Sequence, residues 1–240
     1  MSILSNVFSS VSNLIAPRRC PVCGATIPKQ GPPICTTCEV LAPLTNFHLE
    51  AENPMLTQFW GLMPVEHASA LVWYIQGSGW QRAIHDIKYR QAYRVARELG
   101  LWWSTFFEES PFYSDIDAIV PVPLHWQRRL SRTYNQSESL AEGLSQGLGV
   151  ELLCRAVRRT HYNHSQTLHS TTERWQNVDG IFSVIHPEQL NGRHLLLVDD
   201  VFTTGATIIS LGNTILAATQ GVRLSVATLS VSKARFDKRR

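Results

Sequence analysis

The sequence predicts an α/β fold in which helices flank a mainly parallel sheet, preceded by a small cysteine-rich module. Apolar segments of strand length alternate with amphipathic helical segments from about residue 65 onward, which is typical of a parallel sheet. Two Cys-x-x-Cys pairs precede that region. With 240 residues, of which 44% are hydrophobic, the chain is long enough for one main domain and an appendage.

Residues 1–16 are predicted to form an amphipathic helix, because apolar side chains recur at helical spacing in MSILSNVFSSVSNLI. A short helix packed on its own protein is the favoured interpretation. Binding to a membrane surface is the alternative, which the lack of Lys and Arg in this segment disfavours. The segment also lacks the basic start of a secretion signal, and no apolar run reaches the ~18 residues of a membrane span. We therefore expect a cytoplasmic protein.

The four cysteines in CPVCG and CTTC are predicted to bind one metal ion in a module that covers residues 17–42. They are Cys20, Cys23, Cys35 and Cys38. Two such pairs can bring four thiolates to a tetrahedral ion, and the glycine of CPVCG suits the tight turn that directs backbone N–H groups at sulfur. Structural zinc is the predicted occupant. An iron–sulfur cluster, disulfides and metal-free thiols are the alternatives, and a cytosolic location disfavours disulfides.

Residues 43–64 are predicted to form a linker with one short helix, because they contain three prolines and no steady period. The main domain is expected to cover residues 65–232. Its first strand is ASALVWYI, and two helices, GWQRAIHDIKY and AYRVARELGLWWSTFF, follow. The next strand, DAIVPVPLH, ends in a proline-rich turn.

The second half of the main domain continues this alternation. A helix is predicted at SESLAEGLSQGL, strands at VELLC, around GIFSVI and at HLLLVD, a helix at GATIISLGNTILAAT and a strand at RLSVATLSV. The segment 155–177 is rich in arginine and histidine with little apolar periodicity, which predicts a flexible loop that closes over a ligand. The chain ends in a basic tail, residues 233–240.

Two adjacent aspartates, Asp199 and Asp200, end the strand HLLLVD and precede a turn of small residues. They are expected at the C-terminal rim of the sheet, where ligands bind in such folds, and they can accept hydrogen bonds from sugar hydroxyls or attract a divalent cation. The turn can hold a phosphate through backbone N–H groups, hydroxyls and the helix dipole. A phosphorylated sugar is thus the predicted ligand; the alternative is that Asp200 or Thr203 is a simple helix N-cap. The turn consists of Thr203, Thr204, Gly205, Ala206 and Thr207.

The stretch LLLVDDVFTTGAT resembles the signature of type I phosphoribosyltransferases. The resemblance implies that the two aspartates hold the ribose hydroxyls of 5-phosphoribosyl-1-pyrophosphate, bound with Mg²⁺, and that the turn cradles its 5′-phosphate. Together with CPVCG and CTTC, IHDIKYR and PVPLHWQRRLSRTYNQSESLA, the chain resembles the ComF family from about residue 17 to about residue 232. These are competence-associated proteins with an N-terminal zinc finger and a phosphoribosyltransferase-like domain. Thr133 stands where that family usually has a glycine, which reduces backbone freedom.

Further site residues are implied by the same resemblance. The loop after DAIVPVP is the candidate for pyrophosphate binding through Leu124, His125 and Arg128, because arginine forms paired hydrogen bonds with phosphate oxygens. For any single arginine, a solvated surface position is the alternative. The remaining candidates are Lys88, Tyr89, Arg132, Asn135, Gln136, Arg158, Gln166 and Arg174.

Three functions remain open from the sequence. The first is a phosphoribosyl pyrophosphate-binding competence protein that handles imported single-stranded DNA together with other competence proteins, the DNA part resting on family analogy. The second is an active transferase that moves phosphoribose to a base or another acceptor and releases pyrophosphate. The third is a ligand-sensing or structural protein without turnover. A formal charge of +3 permits an anionic partner, and the arginines of segments 128–132 and 155–174, with the basic tail, are the predicted DNA surface.

Overall fold

The computed structural model describes residues 18–89, 92–124, 134–160, 181–233 and 236. The predicted helix 1–16 lies outside these ranges. In chain order the elements are α1 (Thr36–Val40), β1 (Ala68–Tyr74), α2 (Gly79–Tyr89), α3 (Tyr93–Glu108), β2 (Ala118–Pro121), α4 (Gln136–Leu148), β3 (Glu151–Leu152), β4 (Val157–Arg159), β5 (Phe182–Val184), β6 (His194–Phe202), α5 (Ala206–Ala218) and β7 (Arg223–Ser232). Short 3₁₀ helices lie at Phe47–Leu49, Leu56–Phe59 and Pro187–Gln189.

A five-stranded parallel sheet forms the centre of the fold, with strand order β1-β7-β6-β2-β3. Leu195 and Leu197 of β6 pack into the core on one face, against α5, whereas Leu196 and Val198 pack against α2, α3 and α4 on the other. Both faces are therefore covered, which explains why this strand is a continuous apolar run without polar alternation. Each of these buried side chains contributes roughly 1.5–3 kcal/mol by leaving water.

Helices α3 and α4 pack unusually closely. A Cβ atom added at Gly143 would clash with the carbonyl of Arg97, so the absence of a side chain lets the two helix backbones approach each other. This packing fixes the position of α4, whose first residues lie beside the carboxyl ends of β2 and β6. Within the described residues, no helix has the length and apolar character that crossing a membrane requires.

The predicted flexible loop 155–177 begins with a strand in the structure, whereas the predicted strand around GIFSVI is present as β5. Val157–Arg159 form β4, which pairs with β5 as a separate antiparallel ribbon and does not join the main sheet. Buried Val157 and Phe182 anchor the two strands, and the three residues of β4 are too few for a periodicity argument to detect. Residues 161–177 of the predicted loop lie outside the described part of the chain.

Residues 43–64, predicted as a linker with one short helix, contain two of the 3₁₀ helices and pack on the main domain. Met55 and Phe59 are fully buried at 0% exposure, and the N–H of Trp73 donates to the Pro43 carbonyl at 2.8 Å. The side-chain amide of Asn53 donates to the Ala68 carbonyl at 2.8 Å, which ties the segment to β1. These contacts leave no periodic pattern of apolar residues in the sequence. The prolines were therefore the main signal in this segment, and they suggested a linker. The boundaries proposed for the domains stay a prediction.

Candidate functional site

The four predicted metal-binding cysteines lie together in the structure. The Sγ atoms of Cys20, Cys23, Cys35 and Cys38 are all within 4.8 Å of one another. Thiolates around a zinc ion at about 2.3 Å would stand about 3.8 Å apart, so the cluster has the size that such an ion requires. In the described structure none of these cysteines forms a disulfide. The cluster can hold a metal ion, which is consistent with structural zinc.

Backbone N–H groups shape the cysteine cluster and stabilise a thiolate in it. Gly24 has a φ of 80° and donates its N–H to the Cys20 carbonyl at 2.8 Å, which closes the turn of the first pair. The N–H of Cys35 points at the Cys20 sulfur from 3.5 Å. Burial raises the pKa of the Cys20 thiol, but hydrogen bonds from the backbone of Cys35, Cys23 and Val22 outweigh it and lower the pKa to about 7. A thiolate, the form that binds metal, is thus accessible at neutral pH.

The cysteine module is docked against helices α2 and α3. Val22 packs in the same core as Trp80 of α2, and a Cβ at Gly79 would lie 2.5 Å from the Val22 carbonyl oxygen. Trp102 of α3 donates its indole N–H to a Glu39 carboxylate oxygen at 3.0 Å. The module therefore forms part of the folded core and has a fixed position beside the main domain.

The predicted aspartate pair lies at the carboxyl end of β6, which continues as far as Phe202. The Oδ1 atom of Asp199 accepts hydrogen bonds from the Ser137 hydroxyl at 2.8 Å and from the N–H of Asp200 at 2.9 Å. The Oδ2 atom of Asp200 lies 3.0 Å from Nζ of Lys88, and the two side chains are only 15% and 24% exposed. The structure thus brings the candidate Lys88, from the last turn of α2, directly to the aspartate pair.

The aspartate pair carries more negative charge than its described neighbours neutralise. Burial, followed by the charge of Asp200, raises the pKa of Asp199 to about 7, although the Ser137 hydroxyl and Lys88 act in the opposite direction. A carboxyl group with a pKa this high is stabilised by any cation or hydroxyl donor that enters the site. The pair is therefore electrostatically suited to a ligand that brings a divalent cation or sugar hydroxyls.

The turn that follows the pair leaves the start of α5 open. Gly205 is the N-cap residue, has a φ of 78° and makes no side-chain cap hydrogen bond. The N–H of Ala206 points at the Thr204 hydroxyl from 3.4 Å, while Thr203 is exposed. The N-cap is thus Gly205 and neither of the two candidates for a simple cap, Asp200 or Thr203. The start of α5 can accept an anion from solvent.

Side chains at the start of α4 hold the neighbouring ends of β2 and α2 in position beside the aspartate pair. The Asn135 amide donates to the Val122 carbonyl at 3.0 Å, and the Gln136 amide donates to the Lys88 carbonyl at 3.1 Å. The Tyr134 hydroxyl donates to the carbonyl of Ile87. The predicted candidates Asn135 and Gln136 are buried and hold the ends of β2 and α2 in place.

Ser137 is a site residue that the sequence did not single out. Asn135 caps α4 by accepting a hydrogen bond from the Ser137 N–H at 3.2 Å, and this cap turns the Ser137 hydroxyl toward Asp199. The signal in the sequence is the N-cap asparagine two positions earlier, which predicts where α4 begins.

Leu124 and Arg158 line a cavity of about 330 Å³ beside the ends of β2 and β3. Asn135 and two further arginines, Arg155 and Arg159, also line it, over an apolar floor that includes Val157. The structure thus brings three of the predicted candidates, Leu124, Asn135 and Arg158, to one cavity. Five further predicted candidates lie outside the described residues: His125, Arg128, Arg132, Gln166 and Arg174. Tyr89 ends α2, but its side chain is not described. The roles of these six residues stay predictions.

The chain is similar to curated proteins named for competence and for DNA utilization. It is 38% identical to Competence protein F of Haemophilus influenzae over 93 residues, which cover 38% of this chain and 41% of that protein. It is 41% identical to the DNA utilization protein YhgH of Escherichia coli over 101 residues, which cover 42% of this chain and 43% of that protein. The match thus spans about two fifths of the length of these relatives. The predicted resemblance to competence-associated proteins is confirmed by them. No protein-family model matches the chain.

Solved structures of two enzymes align with part of the chain. An adenine phosphoribosyltransferase aligns with a TM-score of 0.40 and 16% identity, over 60% of this chain and 74% of that chain. The glutamine phosphoribosylpyrophosphate amidotransferase from B. subtilis aligns with a TM-score of 0.36 and 20% identity, over 55% of this chain and 25% of that chain. The predicted fold class is confirmed by the five-stranded parallel sheet, its flanking helices and the four-cysteine cluster.

Proposed function

We propose that this protein binds 5-phosphoribosyl-1-pyrophosphate with Mg²⁺ and handles single-stranded DNA in natural competence. The observation that supports the ligand most directly is the aspartate pair at the end of β6. It adjoins the open start of α5, so carboxylates for sugar hydroxyls stand next to backbone N–H groups for a phosphate. The competence role is supported by the names of the relatives, which the chain matches over part of their length.

Each half of the proposed site has a defined task. Asp199 and Asp200 accept hydrogen bonds from the two ribose hydroxyls, and Ser137 keeps the Asp199 carboxylate in the orientation that this requires. Residues Thr203–Thr207 surround the 5′-phosphate with hydroxyls and N–H groups. Lys88 neutralises Asp200 without ligand and can turn toward the pyrophosphate when the sugar is bound.

Magnesium fits the chemistry of this donor set. Mg²⁺ is held in proteins by one or two carboxylates together with phosphate oxygens and water, and the Asp199–Asp200 pair offers such carboxylates. When bound, the ion supplies positive charge that screens the pyrophosphate from the two aspartates. Such a cation would favour the ionised carboxylate of Asp199.

The test is calorimetric titration of the protein with phosphoribosyl pyrophosphate in the presence and absence of Mg²⁺. Asp199→Asn combined with Asp200→Asn keeps side-chain volume, removes both charges, and should weaken binding by about 100-fold or more, the effect of losing two charged hydrogen bonds. The matched control is Glu108→Gln combined with Glu109→Gln, two adjacent exposed acids at the end of α3. Equal affinity of the two double variants would remove the aspartates from the site.

An active phosphoribosyltransferase is the second candidate, and the cavity beside the proposed site favours it. The cavity shares Leu124 and Asn135 with the proposed ligand surroundings, so a nitrogenous acceptor could enter from there. In the transfer, the bond from C1′ to the pyrophosphate oxygen breaks, a bond from the acceptor nitrogen to C1′ forms, the acceptor proton passes to solvent, and pyrophosphate leaves. Release of pyrophosphate in the presence of a panel of bases tests this candidate. Ligand binding without any release would favour the binding protein.

A further inference from the structure

A groove between the cysteine module and helices α2 and α3 is a separate feature of the surface. It consists of two adjacent cavities of about 390 and 370 Å³, which share Arg19 and Val95. We call it the basic groove. Five basic side chains line it: Arg18, Arg19, Lys29, Arg82 and Arg94.

The basic groove has more basic than acidic side chains. Its five basic side chains face two carboxylates, Asp86 and Glu98, and Cys20 and Cys23 of the cysteine cluster line it as well. Four thiolates around a divalent ion would leave two negative charges, so a positive surplus remains with a metal bound. A concave surface with a positive surplus attracts anions.

Three of the arginines are placed to contact a partner. Arg18 is committed to the fold, because it pairs with Glu98 at 2.6 Å and donates to the carbonyls of Pro28 and Gly31. Arg19 and Arg82 are exposed. The Arg19 guanidinium donates to the Gly24 carbonyl at 3.3 Å, and the Arg82 guanidinium donates to the Val22 carbonyl at 3.5 Å. The Arg94 side chain is 80% exposed, although its Nε lies 2.9 Å from Glu98. Since a guanidinium has five N–H donors, each of these three retains donors for a phosphate.

We propose that single-stranded DNA binds in the basic groove, with its phosphates on Arg19, Arg82 and Arg94. The proposal rests on the proposed role in DNA handling and gives it a location other than the arginines of segments 128–132 and 155–174. The three guanidinium groups come from three different elements along two joined cavities, which suits a chain of phosphates better than one small anion. The cysteine module contributes Arg19, next to its ligand Cys20, and so forms one wall of the binding surface.

The walls of the groove determine the character of the binding. They include the aliphatic side chains of Val22, Ala83, Ala92 and Val95, and no aromatic ring lines either cavity within the described residues. Bases can pack on these walls but cannot stack there, so the affinity comes mainly from phosphate contacts. Binding should therefore have little sequence preference and a steep dependence on salt.

The experiment measures the affinity of the full chain for a labelled oligothymidylate by fluorescence anisotropy over a series of salt concentrations. The test variant is Arg19→Gln with Arg82→Gln and Arg94→Gln. The matched control is Arg97→Gln with Arg193→Gln and Arg223→Gln, which removes the same charge outside the groove. The slope of log affinity against log salt should fall by about 2 in the test variant, since each phosphate on a single strand contributes about 0.7. The control should keep a slope near that of the wild type.

Each outcome decides the proposal. Equal slopes in test and control variants, or no DNA binding by the wild type at low salt, overturn it. Displacement of the DNA by polyglutamate at equal charge concentration overturns it as well, because the groove would then be a surface for any polyanion. Arg94→Glu alone, at a position whose side chain is 80% exposed, repeats the test if the triple variant does not fold. Loss of phosphoribosyl pyrophosphate binding in Asp199→Asn with Asp200→Asn concerns the proposed site alone and leaves the slope test intact.

Discussion

At the residue scale, the aspartate pair combines two carboxylates with unequal surroundings. Asp200 has a lysine at 3.0 Å, whereas Asp199 has a serine hydroxyl and a backbone N–H. Burial and the charge of Asp200 raise the pKa of Asp199 to about 7, so Asp199 retains a proton toward neutral pH. A bound cation would favour its ionised form.

The raised pKa of Asp199 predicts a pH dependence of stability. The folded protein holds a proton between pH 3.8 and about 7 that the unfolded chain releases, so this group's contribution to the free energy of unfolding falls as the pH rises through that range. Without ligand, Asp199→Asn should exceed the wild type in stability by about 1–3 kcal/mol at about pH 8 and by much less at about pH 4.

Urea unfolding of both proteins at the two pH values checks this expectation. Asp86→Asn, a change of the same kind on α2, serves as the control and should leave the pH dependence of the wild type in place. A variant less stable than the wild type by the same amount at both pH values would mean that Asp199 is not held with a raised pKa.

At the element scale, three structural elements meet at the candidate site, and each is fixed by a local rule. The end of β6 places the two carboxylates, the cap at Asn135 places Ser137, and the turn at Gly205 starts α5 without a capping side chain. Hydrogen bonds from the side-chain amides of Asn135 and Gln136 to backbone carbonyls link the ends of β2 and α2 to α4. The site is therefore held by ordered elements on several sides, which favours precise placement of a ligand.

Gly205 is the element-scale position most sensitive to change. Gly205→Ala introduces a side chain at a φ of 78°, and its Cβ would lie 2.8 Å from the Phe202 ring. The left-handed conformation alone costs about 1–2 kcal/mol, and the displacement of Phe202 adds to it. We expect a larger loss of unfolding free energy than in Gly149→Ala, where the φ is 68° but no atom lies within 4 Å of the added Cβ. Urea unfolding measures both, and equal losses would show that the contact with Phe202 does not matter.

At the scale of the whole molecule, the sequence predicts the sheet better than it predicts the packing around it. The run Leu195–Val198 and the amphipathic helices carry periodicities that burial imposes, and the structure confirms the helices and strands they predict. The packing of residues 43–64 on β1 depends on single contacts between residues distant in the sequence, and so does the pairing of β4 with β5. Such contacts leave no periodic pattern of apolar residues in the sequence. The family resemblance made Lys88 a candidate site residue, but its position beside Asp200 could not follow from spacing, because the two residues are 112 positions apart in the sequence.

The roles given to the candidate site residues stay predictions, although the geometry of several is now defined. Lys88 and Asp200 form an ion pair, and Asn135 and Gln136 hold backbone carbonyls. Their buried amides are used by the fold itself, which sequence reasoning could not separate from ligand binding. A family pattern marks positions but does not state whether a side chain contacts a ligand or supports a neighbour that does.

The cysteine module links metal binding to the stability of the whole molecule. Ile27, Ile34 and Val22 of the module are buried in the core that contains Trp80, so an ion at the four cysteines stabilises contacts well beyond its ligands. The free energy of binding a structural zinc ion is in large part folding free energy. We therefore expect the purified protein to contain one zinc ion and Cys35→Ser to lose both the ion and several kcal/mol of unfolding free energy. Elemental analysis and urea unfolding followed by tryptophan fluorescence measure the two effects. Cys154→Ser, outside the cluster, should keep the zinc, and a wild type that is fully stable without any metal would contradict the prediction.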